Sequence, residues 1–259
     1  MPWPTEFYAH QVIIFTLVLV RVSALVMVAP IFGSSEVPTR IRGLLAVALA
    51  LMIVPLELQK ETSTPENVVD YLVLVGAETL VGLTLGLGIL VLFSGVQVAG
   101  QVISQMSGLQ LADVFNPGFD SDVPVFSQLL YYVAMAVFVI IGGHRKVMEA
   151  LLDTFVWLPA GAGGFSRSIT DAMTGLLAQS FELGVRAAAP AMVALLLATL
   201  VLGLISRTLP QLNVMNIGFG INTGVTLGTL CISLGAGAWI FADRLEGAIE
   251  LLLAALRSA

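Results

Sequence analysis

The chain has 259 residues, of which 58% are hydrophobic and only 11% are charged, and its formal charge is −6. A soluble domain carries about 25% charged residues, so the composition excludes the soluble globular, disordered and collagen-like classes and leaves an integral membrane protein. The chain has a net negative charge and contains no block of basic residues, so it lacks the positive surface that nucleic-acid binding requires. A single cysteine, Cys231, excludes a disulfide framework within the chain and any cysteine metal cluster.

Long apolar runs follow one another along the chain, separated by polar connectors. An apolar helix of about 20 residues crosses the hydrocarbon core of a bilayer. We predict membrane spans within residues 12–30, 71–98, 125–143, 176–209 and 217–241. The fourth of these runs is too long for one straight span, because it makes roughly 50 Å of helix.

Two shorter apolar pieces lie at residues 41–54 and 151–158, and each is followed by a proline, Pro55 or Pro159. A piece of about 14 residues is short for a span and fits a half-helix or one arm of a re-entrant hairpin. We therefore predict an all-α integral membrane protein with about six long hydrophobic helices plus short half-helices arranged as hairpins. Residues 1–259 are predicted to form a single membrane-embedded domain.

Two segments outside these runs are distinctive. Residues 101–124 form the longest polar stretch and contain acidic and apolar residues but no Lys or Arg. A loop of about 20 residues in a compact protein is usually functional or disordered, and this mixed composition argues against simple disorder, so we predict a plug-like loop. Residues 243–257 are predicted to form an amphipathic C-terminal helix rather than a span.

Glycines recur four residues apart in two of the apolar runs, as Gly82 and Gly86 and as Gly220, Gly224 and Gly228. Glycines at this spacing line one face of a helix and let another helix backbone approach closely. We predict that all five serve helix packing. The pattern leaves open whether the packed helix belongs to the same chain or to another subunit.

Four charged residues, Arg21, Glu78, Glu182 and Arg186, fall inside apolar runs, where a charge is costly unless it is paired or hydrated. Glu182 and Arg186 have the favoured i,i+4 order of a helix ion pair, and Arg21 is a candidate partner for Glu78 across helices. The first interpretation is charge neutralisation that locks helices together. The alternatives are the lining of a polar passage or contact with a partner chain.

Catalytic and metal-binding patterns are absent from the sequence. His144 has only His10 as a second histidine, far away in the chain, and no nucleophile elbow, zinc-protease or P-loop motif occurs. The sequence therefore predicts no metal site, no cofactor and no enzyme.

A polar segment separates the last two apolar runs and contains Arg207, Gln211 and Asn213. It fits a loop that ends a helix. It also fits irregular backbone beside water or a partner protein, since exposed amides cannot face lipid.

These motifs give the chain a resemblance to the FliR family of type III secretion export-gate proteins, called SctT in injectisomes. The matching residues occur in family order over nearly the whole length, and the string from Ser206 to Asn213 is the most specific of them. The matches are Pro30 with Pro38 and Arg40, Glu78 with Gly82, Gln97 to Gly100, Asn116-Pro117, Gly142-Gly143-His144, Ala189-Pro190, and Ser206-Arg207 with Pro210 to Asn213. One departure is Gly218-Phe219-Gly220, where family members often show a turn that ends in proline.

The resemblance implies a subunit of the flagellar export gate in the bacterial inner membrane, at the flagellar basal body. The implied partners are P-type and Q-type membrane subunits, the FlhB-type switch protein, unfolded secreted substrates and membrane lipid. The implied plug loop would close the gate with Met106, Gly108, Leu109, Phe115, Pro117 and Phe119. Arg207, Gln211 and Asn213 would contact other subunits.

A different class of function remains open on the residues alone. A secondary transporter of a small solute would use Arg21, Glu78 and Arg186 to bind substrate or protons near the membrane midplane. The lack of an internal repeat and the short run at residues 41–54 argue against it.

Overall fold

A computed structural model describes residues 4–34, 36–60, 65, 67–108, 124–163, 166–209 and 214–258. Within these ranges the chain forms seven helices and no strand, which confirms the all-α prediction. The helices are α1 (Pro4–Val28), α2 (Thr39–Glu57), α3 (Val68–Ser107), α4 (Val125–Ile140), α5 (Gly143–Trp157), α6 (Arg167–Thr208) and α7 (Val214–Arg257).

Five of these helices are long and apolar enough to cross a membrane, and α4 with α5 makes a sixth if that broken pair counts as one span. The prediction of about six long hydrophobic helices is therefore confirmed. The break between α4 and α5 lies at residues 141–142, where Gly142 has a φ of 72°. This left-handed conformation suits glycine because it has no Cβ.

Several boundaries differ from those predicted. Helix α2 runs through Pro55 to Glu57 instead of ending before the proline, since that proline lies in the last turn and disturbs few further backbone bonds. The piece at residues 151–158 is the second half of α5 rather than a separate half-helix. The predicted C-terminal helix at residues 243–257 is helical but continues α7 without a break.

The polar stretch at residues 101–124 was predicted to be a loop, but its first seven residues are helical. Residues 101–107 are the last two turns of α3, and the chain leaves the helix at Gly108, whose φ is 78°. Ile103, Ser104 and Ser107 are buried along one side of this end, which holds it in the helix despite its polar composition. Residues 109–123 lie outside the described part of the chain.

The chain divides into two compact units. Unit 1 comprises Met1–Val91, Val139–Leu177 and Leu245–Ala259. Its core includes Leu17 and Leu25 of α1 with Leu85 of α3, all at most 1% exposed.

The seam between α1 and α3 is built around glycine. A Cβ added at Gly82 would overlap the carbonyl oxygen of Arg21 and lie 2.8 Å from the Cβ of Ala24. One turn further along α3, a Cβ at Gly86 would lie 3.2 Å from the Cβ of Val28. These two glycines therefore set how closely the two helix backbones approach.

Unit 2 comprises Leu92–Phe138 and Ala178–Arg244. Phe93 is the centre of its aromatic core, with edge-to-face contacts to Phe241 at 5.1 Å, to Phe138 at 5.5 Å and to Tyr131 at 5.8 Å between ring centroids. Edge-to-face geometry is the favoured arrangement of aromatic pairs and fixes their relative positions.

Close backbone contacts hold the helices of unit 2 as well. A Cβ at Gly95 would overlap the carbonyl oxygen of Ser180, and one at Gly184 would lie 2.7 Å from the carbonyl oxygen of Gly95. The hairpin of α3 and α4 is fixed by Ser127, whose hydroxyl donates to the carbonyl of Gln97 at 2.7 Å. Small residues thus permit both helix crossings.

Candidate functional site

A fully buried ion pair joins α1 to α3 in unit 1. The Nε of Arg21 lies 2.5 Å from Oε2 of Glu78, and Nη2 lies 3.0 Å from Oε1, while both side chains are 0% exposed. This is the bidentate geometry that makes arginine–carboxylate pairs strong and directional.

The remaining polar groups of this pair are also engaged. Nη1 of Arg21 donates to the carbonyl of Leu158 at 2.9 Å and to the hydroxyl of Thr154 at 3.3 Å. The guanidinium carbon lies 4.2 Å from the ring centroid of Phe155, and the amide of Gly161 donates to Oε1 of Glu78 at 2.7 Å. The pair is therefore desolvated but compensated by protein groups.

A second ion pair lies nearby on α2 and the residues that follow it. Nζ of Lys60 is 2.6 Å from Oε1 of Glu57, which is 1% exposed. Lys60 also donates to the carbonyl of Phe155 at 2.6 Å, and Oε2 of Glu57 accepts from the amide of Ala160 at 2.8 Å.

Both pairs hold the same stretch of backbone, residues 155–161, which we call the clamped segment. The two cations donate hydrogen bonds to carbonyl oxygens of this segment, at residues 155 and 158. The two carboxylates accept hydrogen bonds from its amides, at residues 160 and 161. The segment comprises the end of α5 and the irregular backbone after Trp157, and such backbone in a membrane protein is stable only where its polar groups find protein or water partners. The arrangement therefore fixes the position of this segment.

Replacing Glu57 by glutamine tests this clamp. Glu57→Gln removes the charge but keeps the size, and it weakens a charge-assisted hydrogen bond worth about 1.5–3 kcal/mol. We expect the amide of Ala160 to exchange with deuterium roughly tenfold faster or more, as measured by hydrogen-exchange mass spectrometry of the detergent-solubilised chain. Glu36→Gln, at an exposed position, is the control, and equal exchange in the two variants would contradict the clamp.

A third charged cluster belongs to unit 2. Nη2 of Arg186 lies 2.5 Å from Oε1 of Glu182, the predicted i,i+4 pair, and Nη2 of Arg244 lies 3.5 Å from the same oxygen. These side chains are partly exposed, and one carboxylate serves two arginines.

Two of the six predicted gate residues lie within the described part of the chain. Met106 is half-buried in the last turn of α3, and Gly108 follows that turn in the left-handed conformation that ends many helices. Leu109, Phe115, Pro117 and Phe119 lie outside the described residues.

The predicted glycine faces separate into two kinds. Gly82 and Gly86 pack against α1, whereas a Cβ at Gly220, Gly224 or Gly228 would meet no atom of the described chain within 4 Å. The described residues therefore supply no close contact to this face of α7, and the role of these three glycines in helix packing stays a prediction.

The polar segment between α6 and α7 is described only in part. Arg207 is exposed in the last turn of α6. Gln211 and Asn213 lie outside the described residues.

Residues 12–248 match the family described as bacterial export proteins, family 1. The chain belongs to this family. Proteins named flagellar biosynthetic protein FliR are similar along most of their length: 32% identity over 206 residues in Escherichia coli K12 (78% of this chain, 76% of the relative), 27% over 248 residues in Caulobacter vibrioides (94% and 97%), and 30% over 217 residues in Aquifex aeolicus (83% and 82%).

Sequence reasoning missed half of the polar site of this bacterial export protein. Glu57 and Lys60 stand three residues apart, a spacing that favours an ion pair, but they lie at the end of α2, where charges look solvated. Only tertiary structure brings residues 155–161 over them. The contact between Gly95 and Gly184 was missed because these glycines do not repeat at four-residue spacing.

Proposed function

We propose that this chain is a subunit of the flagellar type III protein export gate and forms part of the channel through which unfolded flagellar proteins cross the membrane. The match of residues 12–248 to the bacterial export family is the observation that carries this function. The similarity to FliR proteins from three distant bacteria assigns the flagellar role. The helices place the chain in the membrane.

The distribution of exposed apolar residues supports assembly with other chains. The second half of α6 exposes a row of large apolar side chains, and α7 exposes glycines and large apolar residues side by side: Val193, Leu196, Leu197, Leu200, Leu204, Ile217, Ile221, Leu227 and Ile232. Lipid covers apolar side chains, but a glycine face is suited to the close approach of another helix. P-type and Q-type membrane subunits are the partners we assign to these faces, with the FlhB-type switch protein as a further member of the assembly.

The gate itself requires no bond to be made or broken. An apolar constriction closes to ions by dewetting, and a movable loop lets a polypeptide pass. We assign closure to Met106 at the end of α3 and to the loop that begins at Gly108 and includes the other five predicted gate residues. Arg207, Gln211 and Asn213 are assigned to contacts between subunits, and the assembly is placed in the inner membrane at the flagellar basal body.

The rival function, secondary transport of a small solute, required free intramembrane charges. Arg21 and Glu78 are instead fully engaged with each other and with the clamped segment. Family membership and this geometry both favour the export gate.

Affinity purification of the tagged full chain from its own cells tests the proposed function. We expect non-identical export-gate membrane proteins to be recovered with it, and cells without the chain to lack flagellar filaments. Recovery of the chain alone, together with solute uptake by liposomes that contain only this protein, would contradict the export-gate function.

Deletion of residues 108–119 tests the plug. We expect ion leakage to rise, because the hydrophobic barrier is removed, while recovery of the partner subunits stays unchanged. Conductance of cells with and without the deletion measures the leak, and deletion of residues 61–66, which shortens the connector after α2 but keeps Lys60, is the control. Unchanged leakage would contradict the plug assignment.

A further inference from the structure

Unit 2 contains a partly open apolar groove with a cavity volume of about 40 Å³. Its walls come from α3, α4, α6 and α7, and Ser233 is the one polar side chain among the lining residues. Close-packed protein interiors leave few voids larger than a water molecule. A groove with this apolar lining, open to the surroundings of a membrane protein, therefore suits an apolar occupant.

The α7 wall of this groove follows one helical stripe and ends at a charge. Leu230, Leu234, Gly237 and Phe241 line the groove at intervals of three or four residues. Arg244 continues the same stripe three residues later, since residues at this spacing share a helix face. From Leu230 to Phe241 the helix rises about 16 Å, close to the depth of one leaflet of a hydrocarbon core that is about 30 Å thick.

The α6 wall brings a second cation to the same end. Leu183 and Ala187 line the groove, and they directly follow Glu182 and Arg186, which form an ion pair. Arg244 completes the cluster across from Glu182.

Two arginines share one carboxylate at this end of the groove. Among the residues that the structure describes, Glu182 is the only carboxylate that pairs with Arg186 or Arg244. The neighbouring Asp243 is exposed and points about 100° away around the helix. The described carboxylates thus leave one positive charge of this cluster unbalanced, with half of the Arg186 side chain open to the surroundings.

We propose that this groove binds one anionic phospholipid, with an acyl chain along the α7 stripe and the headgroup phosphate on Arg186 and Arg244. The planar guanidinium group of arginine donates paired hydrogen bonds in a geometry that fits phosphate oxygens. Basic pockets between membrane helices recognise anionic headgroups. A helix of a partner subunit would fill the apolar space but would leave the positive charge unpaired unless it brought an acid. The proposal goes beyond the export function and does not depend on it.

Native mass spectrometry of the full chain in mild detergent tests the site, with titrated phosphatidylglycerol and phosphatidylcholine as probes. We expect about tenfold preference for the anionic lipid. Arg186→Gln with Arg244→Gln should abolish the preference, and the double lysine variant should restore most of it. Arg167→Gln, at an exposed arginine of the same α6 helix, is the matched control and should bind as the unaltered chain does.

A second variant separates the groove from the charges. A Cβ at Gly237 meets no atom within 4 Å, so Gly237→Leu should be tolerated, fill the groove and displace both lipids. A photo-crosslinker placed at Ala238 in cells should give lipid adducts. Equal binding of the two lipids by the unaltered chain, an unchanged preference in the double glutamine variant, or a crosslink from Ala238 to another protein chain would overturn the proposal.

Discussion

Arg21→Met is expected to lower the thermal midpoint of the isolated chain by roughly 10 °C. The substitution leaves Glu78 fully buried with an uncompensated charge, which costs about 3–5 kcal/mol, and each kcal/mol shifts the midpoint of a chain of this size by about 2–4 °C. It also leaves the carbonyl of Leu158 without its donor. Scanning fluorimetry of the detergent-purified protein measures the shift.

Two further variants identify the cause. Arg21→Met combined with Glu78→Gln removes the stranded charge but keeps an oxygen for the amide of Gly161, so we expect recovery of half or more of the lost midpoint. Arg186→Met breaks a partly exposed pair of the same chemistry, where a loss of about 0–1 kcal/mol is expected. Equal shifts for the variants at Arg21 and Arg186 would show that the buried pair is not a lock.

Gly82→Leu is the second change with a large expected effect. Its Cβ would overlap the carbonyl oxygen of Arg21, a backbone atom that cannot rotate away. Overpacking of this kind costs about 1–3 kcal/mol or more, and here it also shifts the helix that carries Arg21. We expect a fall of several degrees in the thermal midpoint and loss of flagellar export in cells.

Gly224→Leu is the matched control because it makes the same substitution at a position where the added Cβ would meet no described atom within 4 Å. The isolated chain should be as stable as before, or slightly more, since leaving glycine in a helix costs about 0.5–1 kcal/mol relative to alanine. Recovery of partner subunits should nevertheless fall. Normal assembly with Gly224→Leu would contradict a subunit contact on this face, and an unchanged midpoint with Gly82→Leu would contradict the packed seam.

The sequence was sufficient for the parts of the fold that depend on length and hydropathy. The long apolar runs predicted the spanning helices, and the spacing of Gly82 and Gly86 predicted a close helix contact. Arg21 and Glu78 were candidates for pairing because isolated charges are costly in hydrocarbon. In each of these cases the physical cause of the structural feature is visible in the local sequence pattern.

Other features depend on contacts that the linear pattern does not contain. Residues 101–107 look like loop by polarity, yet burial of Ile103 keeps them helical. Glu57 and Lys60 look solvated until residues 155–161 lie over them. The face of Gly220, Gly224 and Gly228 shows the converse, since its pattern predicts a close partner that the described chain does not provide.

Helices α3, α6 and α7, of 40, 42 and 44 residues, extend for about 60–66 Å, twice the thickness of a hydrocarbon core. No depth of insertion can bring their two ends to the two lipid–water boundaries at once. Matching of hydrophobic thickness, which sorts shorter spans among membranes, consequently does little to fix the position of these three helices, and we expect contacts with other proteins to set their height relative to the bilayer.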